Sequence, residues 1–214
     1  MMLYVYALLE PTATLPRVAG VNGHELSLLV VDRVAAVVGE IAGPLEPTDD
    51  NLLEHARVVD EVAAANDALL PVRFGRGFHD VDQLVTALSD VAVQCEERLR
   101  AVKGCVELGV HVAEAPVATA GATATVGREY MHRRLREVTR VAEIHATLAE
   151  RARESTRDTG TGPLLRGAYL VPRRAVDDFL AAVEQLRARR PELTVVCTGP
   201  WPAYSFAGFE DGSR

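Results

Sequence analysis

At 214 residues, with 48% hydrophobic and 25% charged side chains, the chain has an ordinary folded composition and room for one large or two small domains. A formal charge of −7 argues against a nucleic-acid partner, whose footprint usually shows as a basic domain. No apolar run approaches the roughly 20 residues of a membrane helix, and the first residues lack the basic start and cleavage site of a signal peptide, so a cytoplasmic location is expected.

Residues 2–9 read as a strand without strict alternation, as where both faces are covered. Residues 26–31 and 34–41 read as a hairpin about Asp32-Arg33. Thr48-Asp49-Asp50 is a helix start. The helix predicted over 51–66 carries a stripe of Leu52, Ala56, Val59 and Ala63, widened by Leu53 and Val62. His55 falls beside this stripe and is expected to be a surface or hydrogen-bonded residue rather than a ligand.

Residues 69–75 read as a strand about which the rest is organised. Pro71, which cannot donate a ladder hydrogen bond, is placed at its beginning and Val72 to Gly75 in its paired part. Gly75-Arg76-Gly77-Phe78 is a turn whose spacing matches neither phosphate-binding glycine motif. A helix is predicted over 81–102, with Leu84, Ala87, Leu88, Val91, Cys95 and Leu99 on one face, and an alternating strand over 105–112. After a loop at 113–125, the longest helix is predicted over 126–157. Its stripe is Met131, Leu135, Val138, Ala142, His145, Ala149 and Ala152.

A strand over 164–171, a helix over 175–190 and a strand over 193–198 complete the regular elements. The segment 199–206 carries Pro200, Pro202, Trp201, Tyr204 and Phe206. The architecture expected is α+β with two domains. Residues 1–67 form an N-terminal α+β domain. Residues 68–214 form a modified ferredoxin-like β-α-β-β-α-β antiparallel sheet with 69–75 as a central strand and the long helix as an insertion.

Chemistry is thinly represented. His24, His55, His79, His111, His132 and His145 are scattered, and no Ser or Cys has a recognisable activating partner. Cys95, Cys105 and Cys197 form no C-x-x-C pair and read as reduced, packed thiols. Asp49-Asp50 and Asp177-Asp178 stand at helix starts, where capping explains them. No catalytic, cofactor-binding or metal-binding residue is therefore assigned.

Four runs occur in order: Leu70-Pro71-Val72-Arg73-Phe74-Gly75, Val106-Glu107-Leu108-Gly109-Val110, Ala168-Tyr169-Leu170-Val171, and Thr198-Gly199-Pro200-Trp201-Pro202-Ala203-Tyr204-Ser205-Phe206. With them the chain resembles the gas vesicle proteins of the GvpF/GvpL family from Tyr4 to Phe206. The resemblance implies a cytoplasmic accessory or minor structural protein of gas vesicle assembly with a ferredoxin-like carboxyl domain. It would bind the small hydrophobic shell protein and/or other gas vesicle proteins, without catalysis. Aromatics and arginine are the usual interface anchors, so Arg73, Trp201, Tyr204 and Phe206 are the candidate partner-binding residues. A small-molecule-binding enzyme or sensor on a ferredoxin-like sheet is the competing expectation. A homo-oligomeric scaffold with no dedicated client is a third.

Overall fold

The computed structural model describes residues 1–114, 139–158 and 164–208. They form a mixed helix and antiparallel-sheet protein that divides into two compact units, 1–106 with 201–214, and 107–200.

In the first unit, β1 (Met2–Leu9), β2 (Leu26–Val31) and β3 (Val34–Ile41) form a sheet with β1 inside it. The β2–β3 hairpin closes on Asp32-Arg33 as expected, with Asp32 at φ 49°, and Arg33 donates to Glu96 at 2.7 Å. β1 is buried along nearly its whole length because both faces are covered. Tyr4, Tyr6 and Leu9 pack with Val58, Val59 and Val62 of α1 (Asp49–Ala65), whereas Val5 and Leu8 face the same space as α2 (Val81–Val102). Both helices start on side-chain caps. Thr48 Oγ1 accepts from the Asn51 N–H at 3.3 Å, and Asp80 Oδ1 accepts from the Gln83 N–H at 2.8 Å.

Two expectations fail here. The pivotal strand is β4 (Leu69–Pro71), paired with β1 at the end of the first sheet, while β5 (Gly77–Phe78) also pairs with β1. Ladder pairing therefore ends at Pro71 instead of beginning after it, and 69–75 is not a central strand of a carboxyl-terminal sheet. A proline is tolerated at an edge, where its nitrogen has no partner to serve, and the uninterrupted apolar run of β1 takes the interior. For the same reason the expected boundary at 67/68 falls inside the first unit, since β4, β5 and α2 all belong to the sheet that β1 organises. On α1 the buried face is His55, Val58, Val59 and Val62, with Leu53 69% exposed. The stripe drawn from hydropathy was rotated because His55, counted as polar, is buried with both ring nitrogens bonded.

The second unit is built on a separate four-stranded sheet ordered β7-β8-β6-β9, from β6 (Cys105–Glu114), β7 (Glu154–Asp158), β8 (Leu165–Pro172) and β9 (Leu193–Trp201). Helical residues 139–149, called α3, lie between β6 and β7 in the chain, and α4 (Val176–Arg189) lies between β8 and β9. Leu108, Val110 and Val112 alternate into a core with Ile144, Leu148, Tyr169, Val171, Phe179 and Val183. The predicted helix to 157 is corrected. Helix ends at residue 149, and 154–158 is a strand paired antiparallel to β8, as in Ser155↔Tyr169. β7 shows no apolar alternation because its side chains are almost all exposed on an edge. The stripe on α3 is also displaced: Ile144 and Leu148 are buried and Ala142 is exposed. The parts of this prediction over 126–138, and most of the loop at 113–125, lie outside the described residues.

Candidate functional site

In the first unit, a cavity of about 530 Å³ is built from four pieces of chain. Val5 and Leu8 of β1 and Leu84, Leu88 and Val91 of α2 make it apolar, and the 71–78 segment supplies a wall that includes Phe74 and Phe78. The returning segment adds Tyr204, Ala207 and Gly208. Among the described residues, the charged side chains in the lining are Arg73, Arg76 and Arg98.

The wall is held from beneath by a buried polar chain. The Val72 carbonyl can only accept, so the His55 Nε2–H donates to it at 2.9 Å. His55 Nδ1 then accepts from the Tyr4 hydroxyl at 2.9 Å, and the Tyr4 oxygen accepts from the Gly75 N–H at 3.1 Å. Both ends of the bend at 72–75 are thereby fastened to one tyrosine and histidine pair. His55 is only 3% exposed, and its ring stacks on Tyr6 with centroids 5.3 Å apart and meets Phe74 edge-on at 5.7 Å. Burial pushes the His55 pKa down, against the Val72 hydrogen bond, so the ring is neutral at physiological pH. Burial also pushes the Tyr4 hydroxyl up to about 12, which keeps it a donor. Tyr6 accepts from the Val21 N–H at 2.9 Å, and a Cβ on Gly20 would lie 2.6 Å from that hydroxyl, so Gly20 is needed there.

The opposite wall is fastened by Arg98. Its Nε and one terminal nitrogen donate to the Phe206 carbonyl at 2.9 and 2.7 Å. Gly208, at φ +76°, runs beside the Arg98 stem, from which a Cβ would be 3.3 Å away. Arg76 places its guanidinium carbon 5.6 Å from the Phe78 ring centroid. Cys95 also lines the cavity, and burial raises its thiol pKa, which disfavours the reactive thiolate.

Of the four residues proposed from the sequence, the structure brings Arg73 and Tyr204 to this cavity. Phe206 is buried and takes part through its carbonyl, and Trp201, 50% exposed, is not among the lining residues. Arg76, Phe78 and Arg98 went unrecognised. One signal was available for Arg98: it continues the apolar stripe three residues after Cys95, so a cation stands where α2 presents its buried side. His111 is exposed on β6, and among the described residues no three His, Cys, Asp or Glu side chains converge as a metal set would. No described helix is long and apolar enough to cross a membrane.

These features define the class: a mixed helix and antiparallel-sheet protein whose first unit opens an apolar, arginine-bearing cavity. The solved structure of gas vesicle protein GvpF from Anabaena sp. PCC7120 matches this fold with a TM-score of 0.82 at 18% identity, over 100% of this chain and 98% of that one. GvpF from Microcystis aeruginosa matches with a TM-score of 0.77 at 18% identity, over 97% and 99%. In sequence, gas vesicle protein F2 of Halobacterium salinarum is 31% identical across 99% of this chain and 94% of its own length. Gas vesicle protein L of a Streptomyces species is 30% identical across 97% and 93%. Residues 2–208 match the family described as gas vesicle synthesis protein GvpL/GvpF, and the chain belongs to that family.

Proposed function

We propose that the chain is a non-catalytic, cytoplasmic assembly protein of gas vesicles that docks the small hydrophobic shell protein and/or other gas vesicle proteins at the cavity of its first unit. The cavity carries this reading. It offers apolar volume for a partner's side chains, with Arg73 and Tyr204 in its lining, and arginine and tyrosine are residue types that dominate binding energy at interfaces. Its described lining holds no histidine or carboxylate to move a proton, which favours binding over catalysis. Trp201 is a second contact outside the cavity, and Phe206 acts by seating Arg98. The same reading takes the second unit as a ferredoxin-like scaffold, supported by the strand order β7-β8-β6-β9 along the path β6-α3-β7-β8-α4-β9.

Ala87 is half-buried on the cavity side of α2, so Ala87→Trp would fill the space while leaving the sheet intact. The purified full chain should retain the shell protein or another gas vesicle protein. The A87W variant should retain about tenfold less, a loss of roughly 1.4 kcal/mol, while unfolding within a few degrees of the parent. Equal retention by both chains, or none by either, would sink the reading.

A further inference from the structure

We propose that β2, at the end of the first sheet, pairs antiparallel with β2 of a second copy of this chain, so that two first units share one continuous sheet. The sheet order ends at β2, and among the described residues no strand lies along its outer edge. Which polar groups face that edge follows from the hairpin. Val31 and Val34 flank the two-residue turn and bond each other, so the positions bonded to β3 are Val31, Leu29 and Ser27, opposite Val34, Ala36 and Val38. The N–H and C=O groups of Leu26, Leu28 and Val30 therefore point outward.

Natural sheets blunt such an edge with a charge, a proline or a bulge. β2 has none of these. Leu26-Ser27-Leu28-Leu29-Val30-Val31 is uncharged, and its register against β3 runs without a shift, unlike that of β1, which is broken between Val5 and Ala7. Val30 is 54% exposed, so the strand is open to a neighbour. The flanks of the strand favour a copy of itself in the antiparallel sense. A two-fold axis at Leu28 sets Leu26 against Val30 of the other copy and brings each flank to the opposite flank. His24 then faces Asp32, and Glu25 lies diagonally across from Arg33 on the other face of the sheet. Arg33 donates to Glu96 within its own chain and keeps its side chain 60% exposed, with donors to spare. Parallel pairing would instead set Glu25 beside Glu25 and Arg33 beside Arg33. Because the axis stands perpendicular to the sheet, both copies carry α2 on the same side of it.

Sedimentation equilibrium of the full chain tests this and should show a monomer–dimer equilibrium. Val30→Lys puts a charge on the edge, and Val30→Pro removes an outward N–H that the chain's own ladder does not use. Each should weaken dimerisation at least tenfold while unfolding within a few degrees of the parent. A87W should dimerise like the parent, which separates this edge from the cavity of the same unit. Mild oxidation reads the register, with the parent, whose Cys95 and Cys105 are buried, as control. Leu28→Cys, on the axis, should give a disulfide-linked dimer, since bonded antiparallel pairs hold their Cα atoms about 5.5 Å apart. Val30→Cys is the more exposed position but lies roughly 14 Å from its counterpart, four residues along the strand, and should not cross-link. A chain that stays monomeric throughout the concentration series would overturn the proposal. So would a dimer that V30K and V30P leave intact, or a cross-link at V30C without one at L28C. Pairing that appears only when another gas vesicle protein is added would also overturn it, by making a partner's strand the occupant.

Discussion

Each unit contains a tyrosine from its sheet bonded to a histidine from a helix, Tyr4 to His55 Nδ1 and Tyr169 to His145 Nδ1, both at 2.9 Å. The two pairs are otherwise unlike. Around His55 the direction of every hydrogen bond is dictated, because the Val72 carbonyl can only accept and the Gly75 N–H can only donate. Around His145 the second nitrogen has Ser155 Oγ at 3.5 Å, a group that both donates and accepts, and the ring is half-buried. A dictated network holds a bend of backbone in one conformation, whereas a permissive one braces a helix against a strand. The first therefore suits a wall that a partner must find ready-made, and the second suits plain stability.

The largest effect should come from deleting either ring. Tyr4 and Tyr169 are almost wholly buried, and Tyr169 packs on Phe179 at 5.2 Å. Tyr4→Ala and Tyr169→Ala should each cost about 3–5 kcal/mol in denaturant unfolding. The comparison is sharpened below the unfolding temperature. Y4A should retain the shell protein or another gas vesicle protein at least tenfold less because the 72–75 wall is loosened, whereas Y169A should retain it like the parent. Equal loss in both would mean that the first pair is as merely structural as the second.

Next come the histidines. His55→Ala leaves the Tyr4 hydroxyl without its acceptor and the Val72 carbonyl without its donor, and should cost about 2–3 kcal/mol, since buried unsatisfied groups carry their desolvation penalty. His145→Ala should cost about 1 kcal/mol, because water can reach a half-buried site. A cost for H145A equal to that of H55A, measured in the same denaturant series, would erase the distinction drawn from burial.

How far this was legible from residues varies by element. The β2–β3 hairpin, the Thr48 cap and both limits of α2 follow from local rules, because turn geometry, capping and helical periodicity act within a few residues. What local rules cannot supply is the partner of a short strand. Residues 69–71 look the same whether they pair with β1 or with β6, and only the non-local ladder Leu9↔Leu69 to Ala7↔Pro71 decides it. Likewise 154–158 is polar throughout and gave no strand signal, since an edge strand exposed on most sides has no apolar face to alternate. Arg73 and Tyr204 could be proposed as anchors by residue type. That they share one cavity with Arg76 and Arg98 depends on chain segments more than a hundred residues apart in the sequence, as in the bond from Arg98 to Phe206. His55 is hydrogen-bonded as expected, and only its burial went unread, because hydropathy scores the imidazole as polar although a polar ring with both nitrogens bonded can be buried at small cost.

The smallest effect tests the electrostatics of the pairs. Burial lowers the pKa of both histidines, and at His145 the positive charge of Arg157 lowers it further. Because both folded values lie below the unfolded value of about 6.5, the unfolded chain takes up the proton first. The stability each neutral ring contributes is thus complete above that pH and declines as the pH falls toward the folded value. Arg157→Gln should raise the His145 pKa, so that its share of the acid loss narrows, and should leave His55 where it is, since no charged side chain figures among the causes of the His55 shift. Titration of the two imidazole signals by NMR separates them. An unmoved His145 would show that burial alone sets it, and a His55 displaced along with it would show that the two pairs are not electrically independent.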